Sequence, residues 1–184
     1  MITTFLPGEQ ALWSGEPGRG IVFQPRDLFL IPFSMIFATF AVFFLISVPK
    51  PPSNQAPVFN LFPLLFVGLA FYFVLGRFFV DAWIRGGIHY AVTNRRIIIE
   101  RGGMFAKQTV INLADMPPTS LRGGTGRGTI RFGESYNMWG RGGYGAWSPA
   151  LDPTPQFIAI EDARRVFDLI NRARDDLLHQ GRPQ

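Results

Sequence analysis

The chain has no cysteine, two histidines and almost no lysine. Without cysteine there are no disulfides, no thiolate nucleophiles and no cysteine-based zinc centres. His89 and His179 do not have the spacing of a helical metal-ligand pair. Charge is also sparse, at 17% of residues, against about 25% in ordinary soluble domains. No serine stands in a G-x-S-x-G setting. The carboxylates Asp115, Glu134, Asp152, Glu161 and Asp162 are scattered through turns and caps. No catalytic set is legible, so the expectation is a non-enzyme with no cofactor and no metal.

What is present is apolar and aromatic. Of the 184 residues 47% are hydrophobic, and 19 are phenylalanine, mostly before residue 80. Residues 28–48, LFLIPFSMIFATFAVFFLISV, carry no charge and would make a helix of roughly 30 Å, the thickness of the hydrocarbon layer. The run is too long for the core of a signal peptide, and a mixed-polarity segment precedes it. A second span starts at residue 58 and reaches about residue 80, with a juxtamembrane stalk to 85. Arg77/Asp81 and Asp81/Arg85 stand at i,i+4 in it. Pro32 and Pro63 are tolerable inside membrane helices. The link at 49–57, PKPPSNQAP, is short enough to require two antiparallel helices. Only Lys50 lies on that side. Arg19, Arg26, Arg77, Arg85, Arg95 and Arg96 lie on the other, which puts both termini in the cytoplasm and 49–57 outside it.

Two regions flank the hairpin. The N-terminal segment, 1–27, has turn residues around Leu12-Trp13 and reads as a short strand or interfacial segment. After Gly86-Gly87 the periodicity changes. Ile88–Val92 alternates as a half-buried strand, Arg96–Arg101 is β-branched, and Lys107–Leu113 is a third candidate. Thr119–Arg122, Thr129–Phe132 and Phe157–Ile160 follow. Residues 162–180 have Ala163, Val166, Phe167, Ile170, Ala173 and Leu177 on one stripe after an Asp162 cap, an amphipathic helix that closes a sheet core.

The order of these pieces carries a resemblance. Two spans precede HYAVTNRRIIIERGG; INLADM, GRGTIRFG and IEDARRVFDLINRA follow, and PGEQALWSGEP opens the chain. This resembles the bacterial pleckstrin-homology-like membrane proteins, in which a hydrophobic hairpin precedes a domain with these signatures. The resemblance implies an α+β membrane protein. Its two-helix transmembrane hairpin would be followed, over 86–184, by a bent antiparallel sheet or barrel capped by the C-terminal helix. It also implies a multi-pass protein of a bacterial inner membrane. It implies no single activity, and residues 134–156 do not align with the family's strands.

The stretch RGGTGRGTIRFG, 122–133, invites two sharper readings, and neither fits. A Walker loop needs a Gly-Lys-Ser/Thr ending and a following helix, whereas this stretch has no lysine and runs into a strand. Arg-Gly-Gly RNA binding uses long disordered arrays, and here there are two isolated copies, at 122–124 and 141–143. The remaining reading is a hairpin turn, and no nucleic acid is expected. The function expected is a membrane-anchored scaffold that binds a protein partner, or a second copy, at a sheet edge or beside the helix. Trp139, Tyr144 and Trp147 are the candidate contacts. The alternatives are a reader of anionic lipid headgroups through Arg95, Arg96, Arg122, Arg127 and Arg131, and an accessory or assembly subunit of a larger membrane complex.

Overall fold

The computed structural model describes residues 5–23, 27–47, 56–123, 126–134 and 148–180. The chain forms two compact units. One is Phe23–Val80; the other joins Met1–Val22 to Asp81–Gln184.

The first unit is helical. Helix α1 spans Asp27–Ser47. Helix α2, Ala56–Phe71, runs through a π-helical turn at Tyr72–Gly76 into α3, Arg77–Arg85. Rings pair between the helices, Phe37 with both Phe66 and Phe73, and Phe44 with Phe66, at centroid distances of 6.2–6.5 Å. Arg77 closes the other end on Asp27 at 3.0 Å. These pairings make the hairpin antiparallel. The hydroxyls of Ser34 and Thr39 donate to carbonyls one turn back, so they add no unsatisfied polar group. Helix α1 and the continuous helical run Pro63–Arg85 are each long and apolar enough to cross a membrane, and only 17% of each apolar window is buried. A core helix of a soluble protein would be mostly buried; here Ile36 and Ile46 are 70% and 75% exposed.

The second unit is α+β, with two antiparallel sheets and no single closed barrel among the described residues. The first sheet has the order β1 (Ala11–Gly15), β2 (Ile88–Thr93), β3 (Arg96–Arg101), β4 (Lys107–Asn112). The second has the order β5 (Thr119–Gly123), β6 (Gly128–Phe132), β7 (Gln156–Ile160). Helix α4, Ala163–Gln180, packs on β5 and β6 and buries Ala163, Val166, Ile170 and Ala173, the stripe its 3.6-residue period calls for. The core lies between the sheets. Tyr90 of β2 packs against Phe157 of β7 at 4.5 Å with the rings tilted by 33°, and Phe132 of β6 meets Phe157 edge-on at 5.2 Å. The amide of Ile158 donates to the Tyr90 hydroxyl at 3.1 Å, tying one sheet to the other. Burial pushes the Tyr90 phenol well above its usual range, against that hydrogen bond and the nearby arginines, so it stays neutral.

Three features add to the sequence expectation. First, β1 belongs to the sheet, with Gly15 opposite Tyr90 and Ala11 opposite Thr93, so the apolar hairpin is inserted between two neighbouring strands. Second, residues 81–85 belong to the sheet unit and not to the helical one. Asp81, Ile84 and Arg85 are buried in the sheet unit. Third, Arg77 pairs with Asp27 and not with Asp81, whose oxygens are taken by Arg85, Ser148 and Ala150.

Candidate functional site

The N-terminal segment is held by two polar clamps at opposite ends of the first sheet. At the β2–β3 turn, Arg96 grips both oxygens of Glu9, Nε at 2.8 Å and a terminal nitrogen at 2.9 Å. The Thr93 hydroxyl accepts the amides of Arg95 and Arg96 and lies 2.8 Å from Glu9 Oε1. Asn94 exchanges hydrogen bonds with the backbone of Gln10. Burial pushes the Glu9 carboxyl upward, but Arg96, the Leu6 amide and Thr93 outweigh it and hold the group at about 2. The T-N-R-R signature is therefore a receptor for the Pro-Gly-Glu segment some eighty residues earlier.

At the other end, Arg85 binds Asp81 at 2.6 Å and donates to the carbonyls of Gly18 and Gly20. The second Asp81 oxygen accepts the Ser148 hydroxyl at 2.7 Å and the Ala150 amide at 3.0 Å. Both charges are buried, with side chains 2% and 5% exposed; multiple hydrogen bonds are what make such a pair tolerable. Gly18 follows β7 so closely that a Cβ there would stand 2.4 Å from the Ala159 carbonyl oxygen. Both clamps are internally satisfied and present no free polar group to a substrate.

The glycine-rich stretch is structural. Gly123 and Gly128 are cross-strand partners closing the β5–β6 hairpin. Gly123 has φ +133, a conformation open to glycine. A Cβ on Gly128 would lie 2.7 Å from that of Ala163, so glycine lets α4 approach.

The five candidate arginines do not form one patch. Arg95 and Arg96 stand at the β2–β3 turn of the first sheet; Arg122 and Arg131 lie on β5 and β6 of the second, and Arg127 in the turn between them. Arg96 serves Glu9. Arg131 is bound to Asp152, and to Gln156 at 3.0 Å. Arg127 is exposed and lies 3.4 Å from Glu161. Arg122 and Arg95 are exposed. Trp139, Tyr144 and Trp147 lie outside the described residues. Among the described residues no three His, Cys, Asp or Glu side chains gather as a metal site would need.

Sequence reasoning missed a groove of about 840 Å³ at the β2–β3 turn end of the first sheet. Leu6, Val110, Leu177 and Leu178 form its apolar wall, and Arg95 and Asn112 stand at its polar side. Strand β4, at the edge of its sheet, supplies Val110 and Asn112, while α4 supplies the two leucines. Val110 is 46% and Leu178 44% exposed. The groove is assembled from four separate stretches of chain, and only the unburied end of the α4 stripe hinted at it.

No family model, curated protein or solved structure matches the chain.

Proposed function

We propose that this chain is a non-catalytic binding module of the pleckstrin-homology-like kind. The hairpin anchors it in a bacterial inner membrane, with both termini cytoplasmic, and its ligand is an extended segment of a protein partner. The membrane reading is supported by the two long apolar helices and their exposed faces; the orientation rests on the arginine bias flanking them. The element order, a four-stranded and a three-stranded antiparallel sheet followed by a helix, supports the pleckstrin-homology-like reading.

The observation that carries the binding function is the groove between edge strand β4 and the end of α4. An edge strand offers unpaired backbone groups to an added strand, and an adjacent apolar wall selects side chains. Arg95 at the polar side favours a segment with a carboxylate beside an apolar residue. The headgroup reading has less support. Arg96 and Arg131 are committed to internal ion pairs. Arg127 lies 3.4 Å from Glu161.

A photo-crosslinking residue at Val110 or Leu178 of the full chain, expressed in a bacterial host, tests the reading. The expected result is a discrete protein adduct at both positions, lost with Arg95→Glu and absent from a Ser120 control on β5. Equal adducts at Ser120, or none in the groove, would contradict it.

A further inference from the structure

The opposite end of the first sheet carries an apolar feature that the binding reading leaves unused. Strands β3 and β4 are joined by a single 3-10 turn, Gly103–Phe105. Gly103 takes φ +76, and the Ala106 amide closes the turn on the Gly103 carbonyl at 3.2 Å. At this tip Met104 is 82% and Phe105 43% exposed. Bare methionine and phenylalanine side by side on a tight turn do nothing for the core, and single-turn tips are ordinarily polar.

Where the tip stands gives it a meaning. The Gly102 amide donates to the Gly87 carbonyl at 2.7 Å, so the tip adjoins the end of α3. Trp83, 66% exposed, lies on the last turns of that helix. The N-terminal segment meets the same end, because Arg85 holds the carbonyls of Gly18 and Gly20. Within the sheet unit, the tip, the end of α3 and the Gly18–Gly20 segment thus meet through Gly87 and Arg85. The charge fits as well. Exposed Lys107 stands at the base of the turn, opposite Arg101, whose Nε is buried. An anionic surface would attract Lys107. Aromatic and long cationic side chains are the residues that settle at a membrane interface.

We infer that the β3–β4 tip is a second membrane contact: Met104 and Phe105 enter the interfacial layer of the bilayer, and Lys107 meets anionic headgroups. The contact rests on the proposal that the hairpin spans a membrane. It gives the sheet unit a second point of attachment.

The absence of cysteine makes the test direct. Single cysteines replace Met104, Phe105, Ser120 or Ile36 in the full chain. Each is labelled with an environment-sensitive fluorophore and reconstituted into phosphatidylcholine–phosphatidylglycerol vesicles. Lipids bearing a nitroxide at a shallow or a deep chain position act as quenchers. Ile36, on the exposed face of α1, reports on the hairpin, and Ser120, exposed on β5, is the aqueous control. The expected result is a blue shift and loss of most fluorescence at Met104 and Phe105 with the shallow quencher, deep quenching at Ile36, and neither at Ser120. Quenching at Ile36 with Met104 and Phe105 no more quenched than Ser120 would overturn the tip contact and leave the hairpin reading standing. Absence of quenching at Ile36 would overturn the hairpin and the contact together.

Discussion

Glu9 shows how a single carboxylate can hold two distant parts of the chain. Its side chain has no exposed surface, and Arg96, Thr93 and the Leu6 amide satisfy it. Hydrogen bonds to a charged group contribute about 2 kcal/mol each when their loss leaves a buried partner, so Glu9→Gln should lower the thermal midpoint of the purified chain at neutral pH. The sign of the pH effect follows from the depressed carboxyl. Its contribution is complete above the ordinary value of 4.5 and is lost as pH falls toward about 2. The stability gap between parent and Glu9→Gln is therefore expected to narrow over that window. A gap that stays constant from pH 6 to pH 2 would show that Glu9 is not held as an ion pair. The Asp81–Arg85 pair should be less forgiving. Arg85→Met leaves a buried carboxylate without its cation, at a cost of about 3–5 kcal/mol. It also releases the carbonyls of Gly18 and Gly20. Chemical denaturation of the detergent-solubilised variant should register both losses in one shift of midpoint.

Among the elements, β1 is the one whose role depends wholly on long-range contact. Its five residues lean on β2 through a bulge between Ala11 and Trp13, and the Trp13 ring lies 5.5 Å from Phe157. The segment after it passes β7 with no room for a side chain at Gly18. Gly18→Ala should then cost about 1–3 kcal/mol through overpacking, measurable as a lowered thermal midpoint, whereas Gly20→Ala meets no neighbouring atom and should suffer only from its positive φ of +85. This contrast marks how far the sequence could be read. Strands β2, β3 and β6 and helix α4 show in the alternation of Ile88–Val92, the β-branched run after Arg96, the inward pair Ile130 and Phe132, and the stripe from Ala163 to Leu177. Each is a pattern within a few residues. The partners of Glu9 and Tyr90 lie 87 and 68 positions away, and no local period encodes such a distance. The same holds for the groove, whose walls come from residues 6, 95, 110–112 and 177–178. The arginines were legible as charge but not as partners, since their carboxylates at Glu9, Asp152 and Glu161 are close only after folding.

At the scale of the molecule, the apolar helices are an insertion. Removing residues 23–80 need not harm the sheet unit, because Arg85 already holds Gly18 and Gly20 beside the returning chain. A short glycine-serine linker in their place should give a soluble protein with cooperative thermal unfolding and dispersed amide resonances. A fragment of residues 86–184 should not, since it lacks both β1 and the Arg85 clamp. If the fragment folded as stably as the linked form, β1 would be dispensable and the insertion reading wrong. The functional account needs one thing above all, that this sheet unit stands at the cytoplasmic face of a membrane crossed twice by the hairpin. The most direct measurement is thiol accessibility in intact bacterial cells, using the full chain with one cysteine at Ser53, between the two apolar segments, or at Ser120, on β5. The account predicts that a membrane-impermeant maleimide labels Ser53→Cys on whole cells and labels Ser120→Cys only after lysis. Labelling of Ser120→Cys on whole cells, or protection of Ser53→Cys until the membrane is opened, would contradict it.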